Sequence, residues 1–92
     1  GGGIMTIREN YVLRQVAGSY VVVAVGEASV NFNGMLTLND SGALLWRTLE
    51  HGADEAGLIS ALTSEYEVSN EQAGRDIAEF LKTLREAGCL AD

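Results

Sequence analysis

The chain has 92 residues, enough for one domain built on one hydrophobic core. Hydrophobic residues make up 47% and charged residues 21%, the balance of a folded domain rather than a disordered one. A net charge of -7, with only six Lys and Arg, repels phosphate backbones and anionic lipid, so no nucleic acid and no membrane is expected as partner.

Residues 1–4, which open on Gly1-Gly2-Gly3, read as a tag or linker remnant, and residues 5–92 as a single domain. Tyr11-Val12-Leu13-Arg14-Gln15-Val16 is rich in β-branched and aromatic residues and ends at Ala17-Gly18, a turn signal. Residues 19–25 form a second extended run, ended by Gly26, and the short connection makes the two an antiparallel hairpin. Residues 28–32 alternate small or apolar with polar, Asn33-Gly34 is a tight-turn dipeptide, and Met35-Leu36-Thr37-Leu38 is extended again.

From there the pattern turns helical. Asn39-Asp40-Ser41 offers capping side chains before a helix over residues 43–50, with Leu45, Trp46 and Leu49 on one face and Gly52 at its C-terminal end. Asp54 caps a second helix carrying Leu58, Leu62 and Tyr66 at four-residue intervals. Ser69 with Gln72 reads as a capping box that opens the longest helix, closed by Gly88. Ala73, Ile77, Phe80, Leu81 and Leu84 make its apolar stripe, and Phe80 and Leu84 are expected to anchor it in the core. The fold class is α+β: three or four short antiparallel N-terminal strands followed by three helices, in a small winged-helix-like domain.

No catalytic set can be assembled. His51 stands alone at the end of the first helix, where it meets the helix dipole. Cys89 reads as a small packing residue, excludes an internal disulfide and, with one His, cannot fill a zinc site. No glycine-rich phosphate loop appears, so no cofactor and no metal is expected. Glu71, Arg75, Glu79, Lys82 and Glu86 alternate in sign along the third helix and read as a solvated, self-paired face. Trp46 belongs with the core leucines. The longest apolar run, Tyr20 to Val25, is too short to span a bilayer, and no secretion signal opens the chain. A cytoplasmic location is expected.

Val12-Leu13-Arg14, the junction Leu38-Asn39-Asp40-Ser41-Gly42-Ala43-Leu44-Leu45-Trp46, the stretch from Leu58 to Tyr66, and Phe80-Leu81 through Gly88-Cys89-Leu90 together resemble the PqqD family, whose members are also called RiPP recognition elements. The resemblance implies three strands and three helices. It also implies a non-catalytic peptide chaperone that binds the leader of a ribosomally synthesised precursor peptide. The leader adds as a strand to the sheet edge, rests against the third helix, and is presented to a radical SAM enzyme, a leader peptidase or a cyclase. Carried over, the edge falls on Ala28, Ser29, Val30, Asn31 and Phe32, or on Met35, Leu36 and Thr37. The helix wall falls on Arg75, Asp76, Glu79 and Lys82. The residues support such an edge without the family, because uncharged Ser29, Asn31 and Asn33 do little to block pairing of a foreign strand.

Other readings compete. The helical half has the outline of a winged-helix DNA-binding domain, but the third helix sets four acids (Glu71, Asp76, Glu79 and Glu86) against three bases. A purely structural assembly subunit is a further alternative, and a small-molecule enzyme comes last.

Overall fold

A computed structural model of the chain describes residues 3–26 and 36–91. The elements in order are β1 (Thr6–Ile7), β2 (Tyr11–Val16), β3 (Ser19–Ala24), β4 (Leu36–Leu38), α1 (Asp40–Glu50), α2 (Glu55–Glu65), α3 (Asn70–Ala87) and β5 (Leu90–Ala91). The order of strands before three helices is as expected. The expected strand over residues 28–32 lies outside the described residues. Two strands come in addition: β1 pairs antiparallel with β5, Ile7 opposite Leu90. Two residues carry no readable period, and this pairing joins opposite ends of the chain, so local pattern could not announce it.

The three-stranded sheet runs β2-β3-β4, antiparallel throughout. The register sets Leu13 opposite Val22 and Val22 opposite Leu36, and Tyr20 opposite Leu38. Alternation therefore puts Tyr11, Leu13, Tyr20, Val22, Leu36 and Leu38 on one face. All six belong to, or pack against, the core cluster. The other face carries exposed Arg14, Val16, Ser19 and Thr37.

Each helix starts where a capping side chain accepts a backbone proton. Asn39 Oδ1 accepts from Gly42 N at 2.8 Å, Asp54 Oδ1 from Gly57 N at 2.8 Å, and Ser69 Oγ from Gln72 N at 3.1 Å. The Asn39 cap starts α1 at Asp40, earlier than the apolar period alone suggests. The expected capping box is half formed, because the Gln72 side chain turns along the helix to Asp76 and Arg75 instead of back to Ser69. Tyr66 is not the last rung of the α2 stripe. It is the C-cap, in extended backbone, and 40% exposed. Gly88 closes α3 in the left-handed region at φ 80°, as expected.

The helices bury Leu45, Trp46 and Leu49 from α1, Leu58 and Leu62 from α2, and Ala73, Ile77, Leu81 and Leu84 from α3. Burying one large aliphatic side chain is worth about 1.5–3 kcal/mol. Leu84 is a core anchor as expected, at 0% exposure. Phe80 is a correction: it is only half-buried, at the margin of the core. It sits on α3 between the buried stripe and the charged face, where the pattern cannot say which side wins.

The N-terminal strand ties the layers together. Met5 exchanges backbone hydrogen bonds with Ala53 at 2.8 and 3.0 Å, Arg8 N donates to Cys89 O at 2.8 Å, and Arg8 Nε donates to Leu90 O at 3.2 Å. This strap fixes the α1–α2 connection and the chain's end to one extended segment. Across the sheet, the Arg47 guanidinium of α1 lies 5.3 Å over the Tyr20 ring of β3, a contact worth about 0.5–1 kcal/mol at an exposed site.

The β2–β3 hairpin turns through Ala17 and Gly18, at φ 51° and 81°. Gly18 occupies the left-handed region freely, whereas Ala17 strains against its Cβ there. Asn is the residue best suited to that first turn position. Ala17→Asn is expected to stabilise the protein by about 0.5 kcal/mol, raising the melting temperature by roughly 2–4 °C. An unchanged or lowered melting temperature in a thermal scan would show that the turn carries no such strain.

Candidate functional site

Among the described residues the sheet has two edges, β2 and β4. An edge strand leaves backbone N–H and C=O groups unpaired on its outer side. β4 runs through Asn39 directly into α1, and at this junction Gly42 is buried. A Cβ at Gly42 would stand 3.3 Å from Leu38 Cβ and 3.5 Å from Phe80 Cε1. The missing side chain is what lets α3 approach the strand-to-helix junction this closely.

A groove of about 320 Å³ opens at that junction, lined by Asn39, Ser41, Gly42 and Leu45, by Leu62 of α2, and by Asp76, Glu79, Phe80 and Thr83 of α3. The four α3 residues fall at i, i+3, i+4 and i+7, one face of a helix. An adjoining hollow of about 340 Å³ shares Asn39, Ser41, Leu62 and Asp76 and adds Asp40, Tyr66 and Val68. Together they form one cleft with an apolar lining of Leu45, Leu62, Phe80, Tyr66 and Val68 and a polar rim.

The rim is acidic. Asp40, Asp76 and Glu79 are exposed and line the cleft. Arg75 and Lys82 are exposed on α3 but are not among the lining residues. Arg75 Nη2 donates to Gln72 Oε1 at 2.9 Å, and Gln72 Nε2 donates to Asp76 Oδ1 at 2.8 Å. The Asp76 carboxylate is thereby oriented through Oδ1. The expected alternating pairing of Glu71, Arg75, Glu79, Lys82 and Glu86 is not realised: among the described residues no ion pair joins them, and Arg75 bonds an amide instead. Exposed pairs of this kind are worth so little that solvent competes with them.

Of the expected site residues, Asp76 and Glu79 come together on the cleft wall. Leu36 is half-buried on the core-facing side of β4, and Thr37 is exposed on the opposite face. Ala28, Ser29, Val30, Asn31, Phe32 and Met35 lie outside the described residues. Sequence reasoning missed Phe80 and Thr83 as lining residues, and also Leu62, Tyr66 and the capping segment Asn39 to Gly42. The i, i+3, i+4, i+7 set that starts at Asp76 was the available signal for the α3 members.

His51 is the exposed C-cap of α1, and Cys89 is fully buried, so base and nucleophile do not share an accessible site. Burial pushes the Cys89 thiol up to about 11. Trp46 is 0% exposed, as expected of a core residue, and its Nε1 has no hydrogen-bond partner. Among the described residues no group of three His, Cys, Asp or Glu could hold a metal ion. Among them, too, no helix is long and apolar enough to cross a membrane.

A three-stranded antiparallel sheet backed by three helices, with a cleft walled by those helices at the β4–α1 junction, defines a small α+β domain of the winged-helix-like kind. The chain belongs to the PqqD family: the family described as Coenzyme PQQ synthesis protein D (PqqD) matches residues 12–90. The chain is similar to a solved structure titled "Lasso peptide synthetase B1 complexed with the leader peptide", at 31% identity over 96% of this chain and 98% of that one, with a TM-score of 0.75. It shares its fold with "TbiB1 in Complex with the TbiA(beta) Leader Peptide" at 23% identity, 95% and 99% coverage and a TM-score of 0.75. No curated protein matches it.

The buried thiol supplies a test of the packing behind α3. Cys89 is expected to resist iodoacetamide at pH 8 in the native protein and to react rapidly once unfolded. The folded pKa lies above the unfolded one, so the contribution of this group to stability is complete below about pH 9 and falls as pH rises towards 11. Fast native alkylation, measured by mass spectrometry, would show that the seam between α3 and β5 opens readily.

Proposed function

We propose that the protein is a non-catalytic peptide chaperone. It captures the leader segment of a ribosomally synthesised precursor peptide as an added strand on β4 and holds it for a tailoring enzyme. The observation that carries this reading is the position of β4. Among the described residues it is the terminal strand of the sheet, and the cleft against α3 opens at the very next residue, Asn39. A peptide paired along β4 would set alternate side chains towards that cleft, so backbone bonds would supply affinity and the cleft selection. The 31%-identical solved protein, described in complex with a leader peptide, supports the same use.

The partner enzyme would be of the radical SAM, leader peptidase or cyclase kind, and this protein would add no chemistry of its own. Residues 5–92 would act as one binding unit. The cytoplasm is the matching location, since a ribosomal precursor is made there and is modified before it leaves. Within the cleft wall, Asp76 and Glu79 would meet the bound strand directly, while Arg75 and Lys82 would act on it at longer range. Ala28, Ser29, Val30, Asn31, Phe32 and Met35, outside the described residues, would add further contacts to the leader. An unstructured leader must be ordered on binding, at about 2–5 kcal/mol, so dissociation constants from nanomolar to micromolar are expected.

Two measurements check this. Titration with the leader of a cognate precursor peptide is expected to move the amide signals of Leu36, Thr37 and Leu38 and of α3 from Asp76 to Thr83. If instead the largest changes fall on α2 and leave β4 and α3 unmoved, the reading is wrong. Phe80→Ala is expected to weaken leader binding about tenfold, while costing less stability than Leu84→Ala, which should lose about 2–5 kcal/mol. Equal stability losses with unchanged leader affinity would make Phe80 a plain core residue.

A further inference from the structure

We infer that the cleft selects leaders carrying a Lys or Arg side chain two residues from the apolar residue that enters it, on the same face of the added strand, with Asp76 and Glu79 as the residues that read the charge. This inference rests on the strand-addition reading and specifies the chemistry of its ligand.

The argument starts from how α3 sorts its side chains. Its buried stripe is Ala73, Ile77, Leu81 and Leu84. On the cleft-facing side stand Asp76, Glu79, Phe80 and Thr83. Arg75 and Lys82, seven residues apart, share a different side, outside the cleft lining. The helix therefore carries both signs of charge but offers only carboxylates to the cleft, and Asp40 at the start of α1 adds a third from the opposite wall. A cation arriving there meets no competing base in the lining among the described residues.

The two α3 carboxylates are available. Asp76 uses Oδ1 for Gln72 and has no hydrogen bond at Oδ2 among the described residues. The Glu79 carboxylate has no hydrogen bond or ion pair among them, its backbone oxygen alone accepting from Thr83. Gln72 is in turn held by Arg75, so Asp76 is oriented without a direct ion pair that would neutralise it. Phe80 lies one turn from Asp76 and next to Glu79, so an apolar side chain resting on its ring brings the side chain two residues along the strand, which faces the same way, within reach of both acids. The long aliphatic stems of Lys and Arg suit this arrangement, because they can lie along the apolar lining while the charged end reaches the rim. An acidic leader side chain in the same place would face like charge from three carboxylates, which supplies selection against it.

The test uses the full chain and a phage-displayed library of random dodecapeptides, selected in parallel on wild type and on the double variant Asp76→Asn, Glu79→Gln. Wild type is expected to enrich peptides with Lys or Arg two residues from an aromatic or aliphatic residue, and the double variant to lose that enrichment. For the best wild-type peptide, replacing its basic residue with norleucine should weaken binding about three- to tenfold on wild type, and not at all on the double variant. Glu86→Gln removes the same charge outside the cleft and should leave the affinity unchanged. Equal thermal melts of the variants confirm intact folding, since both target acids are exposed.

Peptides that shift the amides of β4 and α3 yet show no basic enrichment, or that bind the double variant equally well, overturn the charge selection and leave strand addition standing. Peptides whose shifts fall away from both elements overturn strand addition itself. A selection yielding no binder counts against both.

Discussion

The distance between α3 and the β4–α1 junction controls whether this domain has a cleft at all, and Gly42 sets that distance. With no side chain there, Leu38 of the strand and Phe80 of the helix close on the same backbone position. A larger residue would meet Asn39 Oδ1 at 3.2 Å, the atom that caps α1. Capping, strand exit and helix packing are therefore coupled at one point. The sheet edge and the α3 wall keep their relation because they cannot move apart without giving up the cap or the core contact.

Around that point α3 does three jobs with three sides. One side is buried and holds the domain together through Ile77, Leu81 and Leu84. The neighbouring side lines the cleft, and its half-buried Phe80 sits on the boundary between core and cleft. The remaining side carries Arg75 and Lys82. This sorting gives the cleft a concentration of negative charge that the helix as a whole, with four acids against three bases, does not have. It also explains why an acidic protein can serve peptide recognition: affinity for an extended chain comes chiefly from backbone pairing, which does not depend on net charge.

The strap formed by residues 5–8 matters for the same reason. By bonding to Ala53 on one side and to Cys89 and Leu90 on the other, it locks the α1–α2 connection to the end of α3. The walls of the cleft come from α1, α2 and α3, so a segment far from the cleft fixes their mutual positions. Without rigid walls, a bound strand would lose the selectivity that fixed pockets provide.

The sequence by itself determined the elements that rest on local rules. The β2 and β3 hairpin, the three caps at Asn39, Asp54 and Ser69, the Gly88 stop and the buried stripe of α3 follow from alternation, capping chemistry and a 3.6-residue period, all of which act over a few neighbouring residues. Family membership was legible for the same reason, since the order and spacing of those local pieces carry it. The tertiary structure alone decided the pairing of β1 with β5, because two-residue strands have no period and their partners lie at opposite ends of the chain. It alone separated Asp76 and Glu79 from Arg75 and Lys82, since a charge ladder along one helix looks uniform until neighbouring elements mark which side they enclose. It also moved Phe80 from the core to the cleft margin and Tyr66 from the α2 stripe to its cap. A half-apolar position at the edge of a stripe is settled by what packs beside it, and here that is the approach of α3 to Gly42, which no local pattern encodes.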